Sequence, residues 1–498
     1  MSSGGKELVA VIDIGKTNKK VALFDERLQQ VAHVQAPFPA VLDSNGVLVE
    51  QTAQIWAWLK QQLAALYRQH PFTALSITTH GAAWAALDGR GELAIPVIAY
   101  EHDLGEAEQQ RFDAEFYARC GALEQLQDET GTCDLPLLVN PAKMVLFAQQ
   151  RYAAGWAQAR HLVNYPQYWG HLLTGALASE ATYSANHSFL FDIRRGRASS
   201  AAHALGVADK LDFAFRQPWD RLGTLRPELQ RELGLPALPV TVGIHDSNSA
   251  LLLYLVKHQG RDFVVNSTGT WCVAMHRVNE VSYRPEELGQ KVIFNIDALG
   301  GLTKTSFLMG GQDYGLYHGV IGGADPVFNA ARVDAALADP TRLVLPGAFP
   351  SQFPNARGGV RDGNTTHSVA DLQQGRAPAW FREPALGHDL LNISLALQTE
   401  VALRRTGINN GTALFIEGGF RNNPTFLAVL AALFPDNPVC CTNLQQATAA
   451  GAALLGHALL ANTTPTALAE RITIDEQPVA RPALPHLAAY RQAWLAAC

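Results

Sequence analysis

Three times in this chain an apolar run is followed by a small polar turn and a second apolar run, and this pattern constrains the fold more than any other feature. Leu8–Ile12, Gly15–Asn18 and Val21–Phe24 make the first case. Leu75–Ile77, His80-Gly81 and Ala82–Leu87 make the second, and Phe263–Val265, Asn266–Thr270 and Trp271–Met275 the third. Each reads as a strand, a tight turn and a returning strand. Helical stretches lie between them. Thr52–Tyr67 carries Ile55, Trp58, Leu59, Leu63 and Leu66 at helical spacing, Asn392–Arg405 runs similarly, and Gln446–Leu460 is an Ala-rich helix with a Gly inside. Ala413–Ile416 is a buried strand running into Gly418-Gly419, after which Asn423 and Pro424 mark a helix start as cap and first residue. Strands mixed with helices over 498 residues predict an α/β protein with two large domains. Because the unit at Phe263 repeats the one at Leu8, the domains are expected to be related. The boundary is placed near Gly243–Asp246, giving 1–245 and 246–498.

The formal net charge is −6 and no Lys/Arg block stands out, which disfavours nucleic-acid binding. No apolar run approaches the ~20 residues that span a bilayer. Met1 to Lys6 is polar and Leu8–Ile14 is interrupted by Asp13, unlike a secretory signal, so a cytoplasmic protein is expected. The six cysteines at 120, 133, 272, 440, 441 and 498 include no C-x-x-C pair and read as scattered reduced thiols.

Four constellations could carry chemistry. Asp13 ends a buried strand before Gly15-Lys16-Thr17-Asn18, where Gly allows close backbone approach to a phosphate and turn N–H groups can meet anionic oxygens. Asp13 itself suits hydrated Mg²⁺, a hard cation that prefers oxygen ligands. The plain alternative is a hairpin that needs Gly and Asn for its turn. Asn266-Ser267-Thr268-Gly269-Thr270 offers a second phosphate-facing turn. Glu417-Gly418-Gly419-Phe420-Arg421-Asn422-Asn423 offers a third, where two glycines let a flat group lie on the backbone ahead of a helix N-terminus. Neither G-x-x-x-x-G-K-[ST] nor G-x-G-x-x-G opening a βαβ unit occurs. The fourth is Gly243-Ile244-His245-Asp246-Ser247-Asn248, whose carboxylate could accept the proton of an attacking hydroxyl or simply cap the following helix Ser249–Val256.

Taken in order, these segments resemble the FGGY family of carbohydrate kinases, within the actin–hexokinase–chaperone superfamily of ATPases. Asp13–Lys20, Thr79-His80-Gly81, the Asp246 segment, Asn266–Thr270 and Glu417–Phe426 follow that family's sequence of motifs. Pro141-Ala142-Lys143-Met144, Tyr165–Trp169 with Leu173-Thr174-Gly175, and Glu180-Ala181-Thr182 resemble its middle region, and Leu345-Pro346-Gly347 with Gly358–Arg361 loosely resembles its Pro/Gly loop. The likeness runs from about residue 8 to about 460. Two departures stand out. The family's second signature, a Gly near a helix start after an acidic residue, is poorly matched by Asn392–Arg405. Asn422 also stands where many relatives carry a small hydroxyl residue.

The resemblance implies two ribonuclease H-like domains around a cleft, and transfer of the γ-phosphoryl group of MgATP to a sugar hydroxyl. It makes Asp246 the catalytic base and Asp13 the Mg²⁺-side carboxylate. Gly15, Thr17, Asn18, Thr268, Gly269 and Thr270 would face the ATP phosphates, and Gly418, Gly419 and Asn422 the adenosine. His80 and Gly81 match the sugar-contacting turn, and Asp103 a second sugar-contacting acid whose plain alternative is a solvated loop charge. Trp84 reads either as a pocket wall or as core, more often core. A ketose such as rhamnulose, fuculose or xylulose is the expected acceptor, and homodimer formation is an analogy the resemblance permits. The alternative reading is a catalytically silent sugar or nucleotide sensor on the same fold.

Overall fold

Cross-strand pairing joins the first and third units as hairpins in the computed structural model, which describes residues 7–347, 353, 356, 358–444 and 446–498. The polar start Met1–Lys6 lies outside the described residues. Val9–Ile14 pairs antiparallel with Asn18–Phe24, and on its other side parallel with Ala74–Thr79. Phe263–Thr268 repeats this arrangement, antiparallel to Cys272–Val278 and parallel to Ala413–Gly418. Each trio is the centre of a seven-stranded sheet. In the first, the order runs Arg221–Thr224, Pro239–Thr241, Ala74–Thr79, Val9–Ile14, Asn18–Phe24, Gln30–Pro37, with Ile244–His245 also on Ala74–Thr79. In the second it runs Val292–Ile296, Leu302–Leu308, Cys272–Val278, Phe263–Thr268, Ala413–Gly418, Val439–Thr442, Glu476–Pro478. The central strands are buried on both faces, hence their continuous apolar sequences.

The second unit differs from its sequence reading. Ala74–Thr79 does not turn back on itself. Trp84–Leu87 pairs instead with His161–Asn164, in a separate two-stranded ribbon. The chain leaves the sheet at Gly81 and Ala82, the latter at φ 57°, a left-handed conformation that redirects it.

Two helices fix the geometry between the sheets. The helix Asp246–Lys257 starts directly after Ile244–His245 on the first sheet. It packs against Ala447–Leu460, which returns from the far end of the chain to lie on Val9–Ile14 and Ala74–Thr79. The approach is close enough to require glycine. A Cβ at Gly451 would stand 1.9 Å from the Ser249 carbonyl oxygen, and one at Gly456 would stand 2.4 Å from Val9. The helix Pro384–Arg405 begins eight residues before its sequence reading. Glu383 caps it by accepting the Ala385 and Leu386 N–H groups, and Gly387 packs against the Phe381 carbonyl. An acidic residue followed by Gly at a helix start, absent from Asn392–Arg405, is therefore present upstream.

Among the described residues, no helix is long and apolar enough to cross a membrane, and all six cysteines are free.

Candidate active site

The strand ends deliver their side chains into one cleft. Asp13 closes the central strand of the first sheet, and Ser267 and Glu417 stand at matching positions in the second, paired across adjacent strands. These three line a cavity of about 290 Å³ together with Lys20 and Asp246. A neighbouring cavity of about 340 Å³ is lined by Lys16, His80, Gly81, Asn186, His187 and His245 on one side and by Trp271, Met275, Ile293 and Phe307 on the other. Asp246 borders both cavities.

Asp246 is the first residue of its helix rather than its cap, a position held by His245. Its Oδ1 accepts the Ser247 N–H at 2.6 Å and the Ser247 hydroxyl at 3.2 Å. The helix N-terminus favours its negative charge. A third of its side chain, 32 %, remains open to the cleft. Burial nevertheless raises its pKa above 3.8, with His80 and the Ser247 hydrogen bonds opposing. Burial likewise raises the pKa of Asp13, opposed by Lys20, and the charge of Asp246 raises it further. Lys20 lies directly across the hairpin from Asp13 and reaches its carboxylate at 3.2 Å.

Three histidines line the same cavity as Asp246, and burial keeps each neutral. The pKa values of His80 and His245 are lowered to about 4 and that of His187 to about 3. His80 Nδ1 donates to the Gly81 carbonyl at 2.7 Å, leaving Nε2 as a buried acceptor without a hydrogen-bond partner. Gly81 gives these rings room, because a Cβ there would meet His245 Nε2 at 2.6 Å and His187 Nε2 at 2.8 Å and force them to shift. Lys16 bridges Glu50 and Glu101 at 2.5 and 2.6 Å, and its ammonium lies 4.9 Å from the centre of the Tyr100 ring.

Thr17 and Asn18 in the first hairpin turn, and Gly269 and Thr270 in the second, are exposed. Gly15 sits tightly within its own turn, where a Cβ would lie 2.9 Å from the Asn18 carbonyl oxygen. Thr268 is placed differently from its reading as an open phosphate contact. It is buried, its hydroxyl donates to the Glu417 carbonyl and accepts the Phe420 N–H at 3.0 Å, and so it staples two turns together. The alternation of a strand explains this, since Ser267 takes the cavity-facing position next to it. Gly418 at φ 82° presses against Thr268, where a Cβ would lie 2.0 Å from the carbonyl oxygen, whereas one at Gly419 would meet that oxygen only at 3.8 Å, an ordinary contact. Asn422 is exposed and borders an outer cavity with Arg421 and Pro424.

Two readings do not join this group. Asp103 is exposed outside both cavities, where it accepts the Gly105 N–H at 2.7 Å. Trp84 is a core residue stacked edge-on against Trp156. Sequence reasoning passed over Lys16, Asn186, His187, His245 and Ser267. It also passed over Gly311, whose absent Cβ would lie 2.3 Å from the Gly269 carbonyl oxygen. Lys16 and Ser267 lay inside turns already singled out. Nothing in the order of residues marked Asn186 or His187.

Two related sheets whose strand-end turns face one cleft, with carboxylates on both sides, define an actin-like ATPase fold. Residues 8–252 match the N-terminal domain of the FGGY family of carbohydrate kinases, and residues 260–465 match the carbohydrate kinase FGGY C-terminal domain. The chain belongs to the FGGY family of carbohydrate kinases. It is 24 % identical over 287 residues to an L-fuculokinase of Salmonella typhi, covering 55 % of this chain and 58 % of that protein. A rhamnulokinase of Enterococcus faecalis is 28 % identical over 200 residues, 40 % of this chain and 38 % of the relative. These two matches thus span about half or less of the relatives' lengths. An L-fuculokinase of Escherichia coli K12 aligns over 91 % of this chain and 92 % of its own, at 22 % identity. Among solved structures, a carbohydrate kinase from Novosphingobium aromaticivorans superposes with a TM-score of 0.78 at 26 % identity, covering 99 % of this chain and 98 % of that one. A Plasmodium falciparum glycerol kinase with ADP shares the fold at a TM-score of 0.75 and 15 % identity, over 99 % and 97 % of the two chains.

Proposed function

We propose that this chain transfers the γ-phosphoryl group of MgATP to a hydroxyl of a small ketose with an apolar end, with Asp246 as the base. The observation that carries this reading is the position of Asp246, bordering both the cavity with Asp13 and Ser267 and the cavity with His80 and Trp271. A hydroxyl in the second cavity would meet the carboxylate on the side facing the phosphate cavity. Asp246 orients that hydroxyl and takes its proton, and its raised pKa makes it a stronger base than an ordinary aspartate.

The donor set of the phosphate cavity fits Mg²⁺. Asp13, Glu417, Ser267 and Asp246 supply hard oxygens, and Asp13 and Asp246 repel each other in a way that a dication between them would relieve. Asp13 would hold the metal, which when bound neutralises charge on the transferring phosphate. Thr17, Asn18, Gly269 and Thr270 would face the phosphates, with Gly15 and Thr268 shaping those turns. Gly418, Gly419 and Asn422 would bound the adenosine. The division at 245/246 belongs to the same proposal, with a sugar-binding first half and a nucleotide-binding second half. A reducing, cytoplasmic setting suits the six unpaired thiols.

The sugar cavity carries polar groups on both sides and a large share of apolar lining. His80, Asn186 and Lys16 can meet hydroxyls, as can Asn295 and Thr305 on the second sheet, while Leu135, Val139, Met275, Ile293 and Phe307 offer carbon, with the Trp271 ring beside them. A ketose ending in a methyl group, as in rhamnulose or fuculose, would use that apolar lining more fully than xylulose. The test is ADP release from MgATP against a panel of ketoses, polyols and sugar acids, with Asp246→Asn as control. One 6-deoxyketose should stimulate strongly and the variant should lose the response. A flat panel with nucleotide still binding would favour a silent sensor.

A further inference from the structure

Outside the cleft, His318, Asp325 and His388 bring their ligand atoms within 4.8 Å of one another. His318 lies near the end of the helix Gly310–Ile321, Asp325 in the connection that follows, and His388 one turn into Pro384–Arg405. Three separate segments therefore meet at one point.

The hydrogen bonds decide what each atom can do. His388 is fully buried, and its Nε2 lies 3.0 Å from the Gly322 carbonyl oxygen. A carbonyl can only accept, so Nε2 carries the proton. Nδ1 faces Asp325 Oδ1 at 2.9 Å, close enough for the two to share a proton or a metal ion, and neither atom bonds to any further group among the described residues. An unprotonated Nδ1 and a carboxylate at that separation repel, so the pair calls for a positive charge, either a second ring proton or a metal ion. The other carboxylate oxygen, Oδ2, accepts the Tyr314 hydroxyl at 2.9 Å. The His318 ring stands 4.9 Å from that of His388, and its nitrogens make no hydrogen bond among the described residues.

We infer that His318, Asp325 and His388 form a site for a divalent transition-metal ion of the zinc type. Two imidazoles and one carboxylate suit such borderline ions, whereas Mg²⁺ and Ca²⁺ call for oxygen donors. The surroundings follow the pattern of metal sites, where a ligating His donates its second N–H to a backbone carbonyl and the ligating carboxylate is itself hydrogen-bonded. Ligands about 2.0–2.1 Å from a tetrahedral ion stand roughly 3.4 Å apart, so small side-chain rotations close the cluster. Asp325 is partly exposed, which leaves a way in and room for a water as the remaining ligand. The ion would tie the 322–329 connection to both helices. Tyr314, which holds Asp325, also packs edge-on against Phe420 in the Gly418-Gly419-Phe420 turn, so the clamp braces one wall of the nucleotide cleft.

The test uses the untagged full chain, stripped with a chelator and titrated with Zn²⁺ in a calorimeter, then with Co²⁺ followed by its visible absorption. One equivalent should bind, and Zn²⁺ should bleach the Co²⁺ spectrum. His318→Ala and Asp325→Asn, both at partly exposed positions, should each weaken Zn²⁺ binding roughly tenfold or more. Zn²⁺ should raise the melting temperature of the parent chain and not that of the variants. A parent chain that takes up no stoichiometric Zn²⁺ would overturn the assignment. So would folded variants that bind Zn²⁺ as tightly as the parent, since any ion would then reside elsewhere.

Discussion

Thr182 Oγ1 accepts the backbone N–H of His245 at 3.2 Å while donating its own proton to Glu180 at 2.6 Å. The residue directly before Asp246 is thereby anchored to a buried polar chain in the first half of the molecule. Glu180 completes that chain by also accepting the Thr182 N–H at 2.8 Å. Thr182→Val keeps the shape and removes both hydroxyl bonds. It should lower kcat ~10- to ~100-fold through misplacement of Asp246, and lower stability by about 1–3 kcal/mol by leaving buried groups unpaired. Thr182→Ser should restore most of kcat. Steady-state kinetics on the three proteins, read as kcat against KM, checks this. Equal losses in Val and Ser variants would mean that packing, not the hydroxyl, matters.

Glu180 carries a pH signature of its own. Burial raises its pKa from 4.5 to about 7, with the Thr182 hydrogen bonds opposing. The folded chain thus holds this proton more tightly than the unfolded chain does. Stability from this group is present below pH 4.5 and is lost as pH rises toward 7, amounting to about 3 kcal/mol at about 1.4 kcal/mol per pKa unit. Glu180→Gln has no proton to lose. Its melting temperature relative to the parent should therefore climb between pH 5 and pH 8. A constant difference across that range would place the carboxyl in a far wetter setting.

The pH dependence of turnover should report Asp246. As the base it must be ionised, so kcat/KM should fall as pH drops through a pKa displaced upward from 3.8. The three histidines nearby are held neutral, with pKa values of about 4, 3 and 4, so no limb near the ordinary histidine value of 6.5 is expected from them. Asp246→Asn should lower turnover by several orders of magnitude and leave ADP affinity near that of the parent. A variant retaining near-full turnover would remove Asp246 from the mechanism.

What could be read in the residue order was the part of the fold built from neighbours in sequence. The hairpins at Val9–Phe24 and Phe263–Val278 each need only a strand, a short turn and a strand, and both form. The second unit looked the same, but Trp84–Leu87 finds its partner at His161–Asn164, and no local rule announces a pairing that distant. The Ala-rich helix was legible as a helix. Its destination on the first sheet was not, although Gly451 and Gly456 are the residues that make the contact. The same split runs through the site. Asp13, Asp246, His80 and the glycine turns sit at ends of local units and carried a chemical signal. The apolar wall of Trp271, Met275, Ile293 and Phe307 did not, because which side of a strand faces the cleft depends on how the two sheets meet.

The adjacent glycines 418 and 419 separate the demands of the fold from those of the nucleotide. At Gly418 the left-handed backbone and the Thr268 carbonyl both exclude a side chain, so Gly418→Ala should lose more than about 1 kcal/mol of stability whatever the ligand. At Gly419 a Cβ would meet nothing closer than 3.8 Å, so the fold alone tolerates alanine. If adenosine lies against this backbone, the added methyl group instead intrudes on the ligand. Gly419→Ala should therefore melt with the parent yet bind ADP about tenfold more weakly, equivalent to ~1.4 kcal/mol. Calorimetric titration with ADP beside a thermal melt checks both halves. Unchanged affinity in a normally folded Gly419→Ala protein would mean that the base lies elsewhere, toward Asn422 and the outer cavity it borders.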